Sequence, residues 1–211
     1  MSEFGYIPEA PEQSAFNNKG IFKPKDIYNL DQADKWTPQL GQLELIETKT
    51  ITSAVSTLDF DDLGSYNVHL LTINDGYNTS NGKGIAIRLY ESGVLESGSV
   101  YQLANQDCTP SFFAEDRGTT KNAFRFGNNT STSYTQSNIN GYLYFYNFLD
   151  SSKYSFATTH FSGWSNSNEI QSTFGSNALP QASTVNKFQI MAFDVGAFTG
   201  SFSLFGIKEY E

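Results

Sequence analysis

Beyond residue 42 the chain alternates hydrophobic and polar positions with a period of two and shows no helix-length periodic segment. The clearest stretch is 141–150, Gly-Tyr-Leu-Tyr-Phe-Tyr-Asn-Phe-Leu-Asp. Tyr142, Tyr144, Tyr146 and Phe148 fall on one face of an extended chain, and Leu143, Phe145 and Leu149 on the other. Apolar residues on both faces predict a central strand, covered on both sides or sealed by a partner on the second. Gly141 and the turn at Asp150-Ser-Ser bound it.

Similar patterns predict strands over 43–52, 57–60, 65–74, 84–90, 123–126, 153–161, 185–193 and 200–208. In 84–90 the inward residues are Ile85, Ile87 and Leu89, and 99–104 reads as a strand or a short helical crossing. Asp75-Gly76 and Asn81-Gly82 mark chain reversals. The polar stretches 105–122, 127–138 and 162–182 read as irregular loops. Eight to ten strands between residues 42 and 211, with no internal repeat, predict an all-β, jelly-roll-like two-sheet sandwich.

Residues 1–41 follow a different pattern. They hold Pro8, Pro11, Pro24 and Pro38, four of the six prolines, and the segment around Pro8 and Pro11 must run extended. Residues 24–35 predict one short helix, with Pro24 in its first turn and Ile27, Leu30 and Ala33 on one stripe. Phe4, Tyr6, Ile7, Phe16, Ile21, Phe22 and Trp36 are too many apolar residues for a solvated linker. They suit an N-terminal attachment arm, 1–41, that docks its side chains on a partner, with Ile27 and Leu30 on the same surface. The arm carries six acids against four lysines, so bulk charge does not hold it. The alternative is a plain surface helix packed on its own domain.

Composition narrows the function classes. Of 211 residues 15% are aromatic, with 18 Phe and 12 Tyr, whereas only 17% are charged. Rings supply the core of such a sandwich, and Ser, Thr, Asn and Gln supply its surface, as in extracellular and virion proteins. A net charge of −9 argues against nucleic acid, which needs a basic footprint. No apolar run is long enough for a membrane span, and the first residues lack the basic and apolar segments of a signal peptide. Synthesis and retention in a cytosol are therefore expected. Cys108 is the one cysteine, which leaves no intrachain disulfide or cysteine metal cluster.

The sequence singles out no catalytic group, and no cofactor or metal is expected. His69 and His160 sit inside predicted strands, with neither a nucleophile elbow nor a zinc-binding histidine pair nearby. Asp59, Asp61 and Asp62 begin like a calcium loop but continue with Leu63 and Leu70 where oxygen ligands are required. Glu91, Glu96, Glu115 and Glu169 are candidates for the paired carboxylates of a glycosidase, but nothing marks one pair among them. Tyr134, Tyr154 and Trp164 are candidate glycan contacts in or beside the polar loops; packing of loops or subunits is the competing use of such rings.

The segments Asn-Lys-Gly-Ile-Phe-Lys-Pro-Lys-Asp-Ile-Tyr-Asn-Leu at 18–30, Asp-Lys-Trp at 34–36 and Gln-Leu-Glu-Leu-Ile-Glu at 42–47 resemble virion structural proteins of tailed bacteriophages, especially those of marine cyanobacteria. So do 55–60, 66–70 and the ending Gly-Ser-Phe-Ser-Leu-Phe-Gly-Ile-Lys at 200–208. The resemblance covers about a third of the chain, at both ends, and transfers no catalytic residue. It implies a non-enzymatic virion protein of head-decorating or minor-capsid type, made in the bacterial cytoplasm. The arm would attach it to the major capsid protein or to tail or baseplate proteins, and the sandwich, 42–211, would project. A homotrimer is the expected assembly. A tail-fibre or baseplate adaptor and a carbohydrate-binding module that recognises a host surface glycan are the alternatives.

Overall fold

The computed structural model describes residues 13–14, 17–18, 24–32, 42–133 and 138–208. The chain divides into two compact units, Met1–Gln42 and Leu43–Glu211. In the first, β1 (Gln13–Ser14) pairs antiparallel with β2 (Asn17–Asn18). Helix α1 (Pro24–Gln32) opens on Pro24, whose missing N–H is harmless in a first turn; the rest of the expected span, 33–35, lies outside the described residues. Ile27 and Tyr28 are exposed on it. The expected anchors Phe4, Tyr6, Ile7, Phe16, Ile21, Phe22 and Trp36, and the side chain of Leu30, lie outside the described residues.

The second unit is the predicted all-β sandwich. Its strands are β3 (Leu43–Val55), β4 (Thr57–Phe60), β5 (Val68–Asn78), β6 (Lys83–Glu91), β7 (Val94–Leu95), β8 (Tyr101–Cys108) and β9 (Phe113–Lys121). They continue with β10 (Phe124–Thr130), β11 (Ile139–Tyr146), β12 (Ser155–Trp164), β13 (Ile170–Leu179), β14 (Val185–Ala192) and β15 (Phe198–Ile207). One sheet has eight strands in the order β3-β15-β5-β11-β12-β13-β8-β9. The other runs β10-β6-β14-β4, with β7 hairpinned onto β6.

The topology is a jelly roll with additions. In chain order β3, β4, β5 and β6 alternate between the sheets, β10 stays beside β6 in the smaller one, and β11, β14 and β15 alternate again, which gives two interlocked four-stranded layers, β3-β15-β5-β11 and β4-β14-β6-β10. The remaining long strands come from two insertions. β8 and β9 lie between β6 and β10, and β12 and β13 lie between β11 and β14. Together they extend the larger sheet past β11 by four strands.

Period-two sequence builds the core directly. Ile85, Ile87 and Leu89 of β6, Phe124 and Phe126 of β10, and Phe188 and Ile190 of β14 meet Leu71, Ile73, Leu143, Phe145, Phe202 and Leu204 of the larger sheet, all buried. Phe145 stacks on Phe148 at 4.8 Å and tilts onto Phe188 at 5.4 Å, and Phe188 stacks on Phe60 at 5.0 Å. Phe126 stacks on Phe161 at 4.7 Å and ties β10 to β12. Each such pair adds about 0.5–1.5 kcal/mol beyond area burial.

Several expectations need correction. β11 is a central strand, but it ends at Tyr146; Asn147 takes a left-handed turn (φ 66°) and swings Phe148 off the tyrosine face into the core. Asp75-Gly76 is a bulge within β5, not a reversal; the reversal is at Asn81-Gly82. The stretches 105–122 and 162–182 are not loops, because β9 and β13 run through them. Their inward residues are polar: Asn105, Asp107, Thr173 and Asn177 are buried, and Asp116 is held by Lys121 (2.7 Å) and Arg125 (3.2 Å). No apolar alternation marks such strands.

Truncating Phe145 to Ala should remove two ring contacts and leave a cavity, which lowers unfolding free energy by about 3–5 kcal/mol in urea denaturation. A loss below about 1 kcal/mol would show that the two sheets do not depend on this stack.

Candidate functional site

The structure does not bring the expected glycan contacts together. Tyr154 immediately precedes β12 and Trp164 ends it, so about ten residues of extended chain, roughly 33 Å, separate the two rings. Both are half-exposed, and Tyr134 lies outside the described residues. Trp164 stands opposite Ile170 at the start of β13, where the pair closes the hairpin.

Of the candidate carboxylates, Glu115 and Glu169 engage separate partners, whereas Glu91 and Glu96 both lie against the side-chain amide of Gln181. Glu115 on β9 pairs with Arg117 at 3.1 Å, and Glu169, in the β12–β13 turn, accepts a hydrogen bond from Ser111 at 2.6 Å. Glu96 accepts from Gln181 at 3.3 Å and Glu91 from Ser183 at 2.6 Å, which fastens the end of β6 to the segment entering β14. Asp61 and Asp62 are exposed; Asp62 accepts from the Gly64 N–H at 2.8 Å, and Asp61 meets Lys187 at 2.5 Å. That pairing holds the Asp61 carboxyl below its ordinary pKa and Lys187 above its own. Among the described residues no group of three His, Cys, Asp or Glu side chains could hold a metal ion, and no helix is long and apolar enough to cross a membrane.

The two histidines face opposite ways. His69 is fully buried, and its Nε2 donates to the Leu63 carbonyl at 2.8 Å. His160 is exposed on β12, edge-on to Tyr142 at 5.9 Å. Cys108 is half-exposed at the end of β8, not in a loop.

Two open grooves lie on the eight-stranded sheet. One, of about 510 Å³, is lined by hydroxyl residues of β3 and β15 together with Asp75, Tyr77 and Asn138. The other, of about 560 Å³, lies on the four added strands, between Phe156 on β12 and Arg117 on β9, over a floor that includes Ala104, Ser176 and Ala178. The chain pattern could not show it, because apart from Phe156 on β12 its residues come from β8, β9 and β13, whose inward positions are largely polar.

Burial holds the His69 pKa below its ordinary value, against the smaller opposing effect of the Leu63 hydrogen bond. The unfolded chain then takes up this proton at a higher pH than the folded one. The stabilisation is complete above about pH 6.5 and is lost as pH falls through the folded value. His69→Gln, which can still donate to Leu63, should flatten the fall in stability between about pH 7.5 and 5.5 in urea titrations. Equal slopes in both proteins would exclude His69 as the source.

Comparison with protein-family models, with curated proteins and with solved structures gave no match.

Proposed function

We propose that this chain is a non-enzymatic structural protein of a tailed-bacteriophage particle, of head-decorating or minor-capsid type, held through residues 1–41 and displaying the sandwich outward. The observation that carries this reading is the partition of the chain. Among the described residues, every member of the apolar core lies beyond Gln42, and the chain divides into two units at that point. Residues 1–41 are rich in aromatic residues, which suits that segment to bind a partner. The resemblance at 18–30 and 200–208 supports a particle as that partner. Absence of long fibre-type repeats favours a head position over a tail fibre, and a tail or baseplate adaptor would use the same arm. Self-association as a trimer fits a protein placed on symmetry axes of a shell.

A chain starting at Gln42 should unfold cooperatively, with a melting temperature close to that of the full chain, yet fail to join purified particles. Unfolding of the shortened chain would make the arm part of the core, and normal incorporation would move the anchor to the sandwich. Detection of the protein only in lysates of infected cells, never in particles, would overturn the reading. Sedimentation of the free protein as a monomer would remove the stable trimer.

A further inference from the structure

The core uses one face of the eight-stranded sheet, and the strand register fixes what stands on the other. One row crosses it as Leu70, Tyr144, Thr158, Ser176, Ala104 and Arg117. A neighbouring row runs Tyr146, Phe156, Ala178 and Gln102. From β3 to β8, seven consecutive strands, no Asp, Glu, Lys or Arg holds a paired position on this face. Asp75 stands in the bulge of β5, and the first ions on a paired position are Glu115 and Arg117 of β9, which neutralise each other at 3.1 Å. The smaller sheet differs: its β4 and β14 carry Asp59 and Lys187, 3.3 Å apart.

In a protein of net charge −9, this face offers a charged partner only the Glu115–Arg117 pair at its β9 end. Nucleic acid and anionic polymers would find one arginine, already paired. What the face does offer is rings and hydroxyls. Tyr142, 41% exposed, is held edge-on by Tyr144 at 5.7 Å and His160 at 5.9 Å, and Tyr146 and Thr158 share a hydrogen bond of 3.2 Å. Such rings are fixed before any ligand arrives, so little side-chain freedom is lost on binding. Phe156, 43% exposed, forms one wall of the 560 Å³ groove, whose floor of small residues leaves room between β12 and β9, three strand spacings or about 14 Å.

We infer that this groove binds an uncharged oligosaccharide. A sugar ring presents an apolar C–H face, which matches Phe156, and a rim of hydroxyls that both donate and accept, which match Ser176, Thr119 and Gln102. A neutral sugar brings no charge of its own to desolvate, and the one ion on the lining, Arg117, is exposed and paired with Glu115 at 3.1 Å. The site is built on the two insertions and not on the eight-stranded jelly roll, so it is an addition to the scaffold. It stands independently of the particle assignment, since it uses only residues of the sandwich.

Affinity electrophoresis of the full chain tests this, in native gels cast with dextran, mannan, galactomannan or xyloglucan, and with alginate as the anionic control. Retardation is expected in at least one neutral gel and not in alginate. Phe156→Ala and the groove-filling Ser176→Tyr should each weaken it at least tenfold, with melting temperatures close to wild type. Val94→Ser, on the hairpin of the other sheet, should leave it unchanged. No retardation in any neutral gel overturns the inference, as does retardation in alginate alone. Loss on Trp164→Ala with none on Phe156→Ala would move the site to the strand end. Dissociation of an oligomer by Phe156→Ala, without any effect of sugar, would assign the face to a second copy of the chain. Each of these results leaves the arm-truncation experiment to be decided separately.

Discussion

The contact on which the sandwich depends is the run of rings Phe148, Phe145, Phe188 and Phe60. It joins the centre of the larger sheet to two strands of the smaller, with neighbouring centroids 4.8, 5.4 and 5.0 Å apart. Few aliphatic residues are available, so rings carry the layer between the sheets. The left-handed Asn147 delivers one of them, Phe148, from beyond the end of its strand. Once β11 is fixed by this stack, its other face is fixed as well, because side chains alternate. Tyr142, Tyr144 and Tyr146 have to point away from the core.

This constraint explains what could be read from the chain. Strands of the jelly roll proper carry apolar residues at every second position, and β6, β14 and β15 were legible to within a residue or two. The run of inward Ile85, Ile87 and Leu89 is buried as expected. The added strands were legible only in part. β12 was visible through its rings, but β13 buries Thr173 and Asn177, and β9 turns a half-buried Asp116 inward, where a core strand would bury leucine. Hydrogen bonds hold that region: Thr173 donates to Asp107 at 2.5 Å, and Arg125 reaches Asp116 while its guanidinium lies 4.1 Å from the Phe193 ring. Polar interiors have no hydropathy period, and the groove was hidden with the strands that carry it. Tyr154 and Trp164 were sensible choices from composition, but their placement at the two ends of β12 follows from strand length, which only the pairing register reveals.

Charge is distributed by the same logic. On the edge strand β3, Glu47 and Lys49 stand opposite Leu204 and Phe202, pair at 3.2 Å, and place a lysine over the Phe60 ring. On β9, at the other edge, Asp116 stands opposite Asn105. Inward-facing charges on edge strands oppose edge-to-edge pairing of sheets. With the edges protected in this way, the open face of the larger sheet can be uncharged without inviting strand addition. Selectivity on that face then rests on ring geometry and hydroxyl pairing.

The added strands also show why such a face can vary without endangering the fold. The Phe145–Phe188–Phe60 stack lies within the jelly roll, and the added strands attach beyond it in the order β12, β13, β8, β9. Substitutions at outward positions such as Phe156, Ser176 or Ala104 touch neither the stack nor the buried polar group of Asn105, Asp107, Thr173 and Asn177. Surface positions away from buried networks ordinarily shift stability by no more than about 0.5 kcal/mol. The chemistry of the groove is thus separable from the stability of the scaffold. That separation lets a binding surface be remodelled while the core that presents it stays fixed.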